Sequence, residues 1–198
     1  FVQDRVNDRI GLVVYAGESY TRTPVTSDKA IILQSLKTVE YDDSIIADGT
    51  GIGVGLATAI NRIKDSKAKS RIIILLTDGV NNSGTIDPRT AAEIAKEYGI
   101  KVYTIGIGTN GKAMFPVAKD ANGKLVFRMM PVEIDQKLMQ EIAKTTDAKY
   151  FRATSNKKLQ AIYDEINKLE TTEIDEKKFY NYDEKYKIFA LIAFGLLG

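Results

Sequence analysis

The sequence predicts an α/β fold in which a mostly parallel sheet is flanked by helices. Residues 72–76 form a run of five apolar residues that is too short to cross a membrane and lacks a helical polar face, and residues 100–107 (IKVYTIGI) form a second, mostly apolar run. Such runs are typical of strands buried on both faces of a parallel sheet. Amphipathic helical patterns at residues 52–64, 88–98 and 135–145 alternate with these strands, and this alternation indicates βαβ connections.

The remaining elements are predicted from shorter signals. Residues 9–16 form a strand, and a tight turn joins it to an exposed partner at 20–25. An N-cap within 26–28 begins a helix through Val39, with Ile32, Leu33 and Leu36 facing inward. A short strand at 149–153 precedes a helix at 156–170.

Asn122-Gly123 lies between apolar runs and predicts a two-residue hairpin turn within residues 114–129. The hairpin could face a partner. The alternative, that Met114, Phe115, Met129 and Met130 pack on the domain, is favoured.

Composition excludes several functions. The 28 basic and 26 acidic residues give a net charge of +2 and are scattered, so nucleic acid is not an expected partner. The chain has no cysteine and no histidine, which removes thiol and Ser-His-Asp catalysis. Any metal must therefore be held by oxygen, and this favours Mg²⁺, Mn²⁺ or Ca²⁺.

The domain bounds follow from the distribution of charge. Residues 1–170 are predicted to form the folded domain and 171–187 a charged linker. Residues 188–198 carry no charge and are about half as long as a membrane span. They are predicted to begin a transmembrane helix; the alternative is a buried core helix or strand.

The glycine-rich run at 49–55 does not fit a nucleotide-binding loop. Neither possible GxGxxG spacing is completed, because Val54 and Leu56 stand where the third glycine is needed, and GxxxxGK[ST] does not occur. The run presents Thr50 at a helix start, while Asp78 follows a buried strand. A hydroxyl and a carboxylate suit a hard cation. The alternatives are a helix-capping hydroxyl for Thr50 and an Asx-turn for Asp78.

The motifs around these two residues resemble the von Willebrand factor A (VWA) domain. TDG follows a buried strand and is preceded by DGTGIGVGLATAINR. The chain is more narrowly similar to the Bat (aerotolerance) family of membrane-anchored bacterial VWA proteins. The similarity lies in the stretches DRIGLVVYAG, LLTDGVNNSG, YTIGIGT and KYFRATS with LQAIYDEINKLE. The resemblance covers about residues 1–170 and implies a Rossmann-like, doubly wound sheet.

In that family a metal-ion-dependent adhesion site (MIDAS) takes ligands from three loops. Thr50 and Asp78 match the second and third loops. The first, a DxSxS motif, is absent; Asp42-Asp43-Ser44 begins similarly but has Ile46 in its fifth position. The resemblance thus implies that the first central strand and three ligands lie upstream of Phe1. Metal binding is expected to be weak or absent in this chain by itself.

The implied strand order 3-2-1-4-5-6 places the missing strand between residues 9–16 and 71–77. Unpaired buried backbone groups cost about 1–3 kcal/mol each, so this position is expected to be filled. The candidates are the tail at 188–198, a neighbouring chain by strand exchange, or closure of the two half-sheets.

The resemblance implies a non-catalytic protein-binding module. A partner's carboxylate would complete the metal shell, and other membrane-associated VWA or Bat-type proteins are the expected partners. The chain would be anchored in the bacterial inner membrane with its soluble part in the periplasm. Two alternatives remain: a structural scaffold with a degenerate metal site, and a metal-dependent hydrolase that pairs Asp78 with Asp42, Asp43 or Asp48.

Overall fold

The computed structural model describes residues 2–3, 8–39, 49–108, 111–119, 125–132 and 134–180. Helices and strands alternate along most of this length, as the sequence predicts. Their bounds in chain order are β1 Ile10–Tyr15, β2 Ser19–Thr26, α1 Lys29–Lys37, α2 Ile52–Ile63, β3 Ile72–Thr77, α3 Pro88–Glu97, β4 Lys101–Ile107, β5 Gly111–Lys119, β6 Leu125–Val132, α4 Gln136–Thr145, β7 Tyr150–Ala153 and α5 Asn156–Tyr180.

A parallel sheet of order β3-β4-β7 forms the centre of the fold. Helices α2, α3 and α4 cover one face of it with a core that includes Leu56, Leu75 and Met139. Helix α5 covers the other face and packs Ile162 and Ile166 against β4 and β7. The predicted α/β class with a parallel sheet between helices is confirmed.

Strand β3 pairs on only one side among the residues that the structure describes. Lys101 N–H donates to the carbonyl of Arg71 at 3.1 Å, and the parallel register aligns Ile72 with Lys101. Odd-numbered residues of β3 therefore bond to β4, while the backbone groups of the even-numbered residues point away from it. On that side the Tyr15 hydroxyl donates to the carbonyl of Leu76 at 2.7 Å.

Strands β1 and β2 form a separate antiparallel pair. Direct pairing of β1 with β3, one of the three expected ways of completing the sheet, does not occur in the described part of the chain. The tail at 188–198 lies outside that part. Strand exchange between chains stays a prediction.

Two elements differ from their predicted form. Leu36 is 45% exposed while Ile32 is buried, because the contact of β2 with α1 through Thr23 and Ser35 turns Ser35, and not Leu36, toward β2. Helix α5 continues to Tyr180, so the first ten residues of the predicted linker are helical. Strands β5 and β6 confirm the hairpin, whose turn at 120–124 lies outside the described residues, as do Asp42, Asp43 and Asp48.

No helix within the described ranges is both long and apolar enough to span a bilayer. The domain bounds at 170 and 187 and the transmembrane character of 188–198 stay predictions.

A buried carboxylate ties α5 to the amino ends of the central strands. Glu170 is 3% exposed and accepts hydrogen bonds from the hydroxyls of Ser70 and Tyr103, each at 2.6 Å. Lys101 Nζ lies 3.5 Å from the same carboxylate. Burial by itself would raise the pKa of Glu170, but the two hydroxyls and the lysine outweigh it and hold the pKa below its ordinary value of 4.5.

Replacing Glu170 with glutamine is expected to lower the free energy of unfolding by about 2 kcal/mol at pH 7, because charged hydrogen bonds in a buried site are lost. Since the folded-state pKa is depressed, this contribution is present above pH 4.5 and is lost as the pH falls through the folded-state value. Urea unfolding of both proteins at pH 7 and at acidic pH measures the difference.

Glu165→Gln is the matched control, since its ion pair with Lys149 is half exposed and contributes little. An equal loss of stability for Glu170→Gln at both pH values would contradict the role given to the carboxylate.

Candidate functional site

Asp78 lies at the carboxyl edge of the central sheet, immediately after β3. The register that pairs Thr77 with Gly106 brings this end of β3 level with the end of β4. The turn that follows is closed by the hydroxyl of Thr77, which accepts the Gly79 N–H at 3.3 Å. Asp78 is exposed. Ligands of open parallel sheets bind at this edge, so Asp78 is placed as the sequence predicts.

Thr50 lies beside the segment that carries Asp78. A β carbon added to Gly79 would stand 3.4 Å from Thr50 Oγ1, which is ordinary van der Waals contact. The structure therefore brings the two predicted residues to one edge of the sheet from loops 28 residues apart in sequence. Their role as metal ligands stays a prediction.

The helix-capping alternative for Thr50 is wrong. The N-cap of α2 is Gly51, and no side chain of its own caps the helix. Instead the side-chain oxygen of Asn81 accepts the Ile52 N–H at 2.8 Å. The side-chain oxygen of Asn82 accepts the Thr50 N–H at 2.7 Å. The loop after β3 thus holds the loop before α2.

Sequence reasoning missed the role of both asparagines. They follow Asp78 by three and four residues, where asparagine is an ordinary turn residue. A signal was present, because α2 has glycine at its N-cap and so needs a hydrogen-bond acceptor from elsewhere.

Tyr15 lies beneath the site and was also missed. Burial raises the pKa of Tyr15 to about 12. A hydrogen bond with Thr77 opposes this increase, and the negative charge of Asp78 adds to it. Its hydroxyl, protonated at neutral pH like that of any tyrosine, acts as the hydrogen-bond donor to the carbonyl of Leu76. Tyr15 is a structural support and is not suited to acid–base chemistry at that pH.

The glycines in the first turn of α2 allow close packing. A β carbon on Gly53 would overlap the carbonyl oxygen of Ile86, and one on Gly55 would lie 2.7 Å from the ring of Tyr15. Helix α2 therefore approaches the Ile86 loop and β1 more closely than any larger residue would allow. This accounts for the glycines without a nucleotide.

The described residues supply part of a cation site. One carboxylate and one hydroxyl are hard oxygen donors, and a cation such as Mg²⁺ takes six ligands. Within the described part of the chain, no three acidic side chains come together in a metal-binding group. The donor chemistry fits a metal whose remaining oxygens come from water, a partner or residues outside the described ranges.

Comparison with known proteins identifies relatives over most of the chain. The family model for the von Willebrand factor type A domain matches residues 2–165. An uncharacterized protein of Borreliella burgdorferi is 30% identical over all of this chain, which covers 57% of that protein. The chain thus spans a little over half the length of this relative.

Two solved structures are similar at the level of both fold and sequence. The conserved hypothetical protein BatB from Bacteroides thetaiotaomicron is 31% identical with a TM-score of 0.68, covering 86% of this chain and 83% of its own. An aerotolerance-related membrane protein from Bacteroides fragilis is 28% identical with a TM-score of 0.66, covering 84% and 83%.

Replacing Gly53 with alanine is expected to destabilise the fold by about 2–4 kcal/mol, because the added methyl group meets backbone rather than a flexible side chain. Chemical denaturation measures the loss. Asn61→Ala, an exposed change on the same helix, is the control and is expected to change stability by no more than about 0.5 kcal/mol. A Gly53→Ala protein as stable as this control would contradict the close-packing account.

Proposed function

Because this chain belongs to the von Willebrand factor type A family, we propose that it is a non-catalytic protein-binding module that recognises its partner through a divalent cation. The observation that carries the proposal is the placement of Thr50 beside the Asp78–Gly79 segment at the carboxyl edge of the sheet. Hydrogen bonds between two loops produce this placement.

In this proposal Thr50 and Asp78 are two ligands of a MIDAS-type site. Mg²⁺ is the expected ion, and Mn²⁺ or Ca²⁺ would share its preference for oxygen. The bound ion would supply an open coordination position for a carboxylate of the partner protein. Asp78 is exposed, so a large partner can reach this edge.

A further strand between β1 and β3 completes the proposed site. The backbone groups of Ile72, Ile74 and Leu76 face away from β4, as the ladder register requires, and unpaired strand edges are costly to bury. The family's DxSxS motif follows the strand that occupies this position, and it would add the ligands that the described residues lack.

We also propose a membrane-anchored protein of the Bat type. The support is the similarity to BatB and to the aerotolerance-related membrane protein, together with the uncharged segment at 188–198. The expected partners are other membrane-associated VWA or Bat-type proteins, and the expected location of the domain is the periplasmic side of the inner membrane. The alternative is a structural scaffold with a degenerate metal site.

Replacing Asp78 with asparagine in the full-length gene product is expected to reduce Mg²⁺-dependent capture of partner proteins from solubilised membranes by about tenfold or more, since loss of a charged ligand costs at least about 1.4 kcal/mol. Quantitative mass spectrometry of pull-downs with Mg²⁺ and with EDTA measures the effect. Asp65→Asn removes an exposed carboxylate from the end of α2 and is the charge-matched control.

Equal capture by wild type with Mg²⁺ and with EDTA would contradict metal-dependent recognition and favour the scaffold alternative.

A further inference from the structure

We propose that Asn81 and Asn82 are positioning residues that hold the Thr50 loop in its site geometry before any metal binds. This inference deepens the proposed function, on which its consequence for metal affinity rests.

Asn82 forms hydrogen bonds with both the N–H and the carbonyl of Thr50. Its side-chain oxygen accepts the Thr50 N–H at 2.7 Å, and its own N–H donates to the Thr50 carbonyl at 3.1 Å. Ser83 N–H lies 3.3 Å from the same carbonyl. With both backbone groups of Thr50 engaged, its side-chain hydroxyl is the group that can turn toward a cation.

Asn81 fixes the residue at which the helix begins. Its side-chain oxygen accepts the first helical N–H, that of Ile52, at 2.8 Å. An N-cap side chain normally accepts the N–H of the second or third helical residue. Here the acceptor comes from 29 residues further along the chain, because Gly51 at the N-cap has no side chain to offer.

The loop is held from a third side by β1. Gly51 N–H donates to the carbonyl of Ala16 at 2.5 Å. A β carbon on Gly51 would lie 2.9 Å from that same oxygen, so the loop passes close to the end of β1. Three consecutive residues, Thr50, Gly51 and Ile52, thus each donate their N–H to a partner outside the loop.

The two asparagines share a turn with Asp78. The segment that presents the Asp78 carboxylate therefore also holds the backbone of the loop that carries the Thr50 hydroxyl. Positioning of ligands before binding strengthens an interaction because less order has to be imposed when the ligand binds. The asparagines touch the loop and act through it.

Amide hydrogen exchange in the metal-free, full-length gene product tests the inference directly. Asn82→Ala is expected to speed exchange at the Thr50 amide by about tenfold, and Asn81→Ala to do the same at the Ile52 amide, as loss of a capping bond predicts. Asn82→Asp keeps the acceptor oxygen and is expected to restore protection of Thr50. Asn61→Ala, an exposed asparagine on α2, is the matched control and should change neither amide.

Titration of the same proteins with Mn²⁺ supplies the second readout. Asn82→Ala is expected to weaken Mn²⁺ binding about tenfold although Thr50 and Asp78 are both retained.

Unchanged exchange at the Thr50 amide in Asn82→Ala overturns the positioning role. Faster exchange with unchanged Mn²⁺ affinity also overturns it, because the bonds would then serve folding alone. If exchange responds as expected but wild type binds no Mn²⁺, the loop geometry is supported and the proposed function fails.

Discussion

The parallel pairing of β3 with β4 is the constraint on which the candidate site depends. It brings the ends of both strands to one edge and sets Asp78 there. The turn after β3 then carries Asn81 and Asn82 to the loop before α2, where they hold Ile52 and Thr50. The pairing of β3 with β4 therefore determines, through the side chains of Asn81 and Asn82, where the loop that carries the Thr50 hydroxyl lies.

The same strand shows why the site is only partly formed by the described residues. Residues 72–76 are all aliphatic, which is typical of a strand covered on both faces and paired on both edges. Yet Ile72, Ile73 and Ile74 are only half-buried, while the centre of β4 is fully buried. On the side away from β4, the Tyr15 hydroxyl donates a hydrogen bond to the carbonyl of Leu76. The further strand proposed beside β3 would account for both the aliphatic composition of β3 and its partial exposure.

Most of the fold could be predicted from the sequence because its signals are local. The apolar runs of β3 and β4, the Asp87-Pro88 start of α3 and the Gly99 that follows it each indicate an element within a few residues. The edge position of Asp78 followed from general rules for parallel sheets. The Asn81–Ile52 and Asn82–Thr50 bonds span about thirty residues and use ordinary turn residues, so no local pattern indicates them. Leu36 was mispredicted because helical spacing gives a helix face but not which residues of that face the neighbouring strand covers.

The most direct test is a crystal structure of the full-length soluble region grown with Mn²⁺, in which anomalous scattering locates the ion. We expect one peak, with Thr50 Oγ1 and an Asp78 carboxylate oxygen bound to the ion directly or through one water. Two results would contradict this placement. One is an ion bound elsewhere. The other is an ordered site that, at Mn²⁺ concentrations that saturate hard-cation sites, holds no ion and has Thr50 turned away from Asp78.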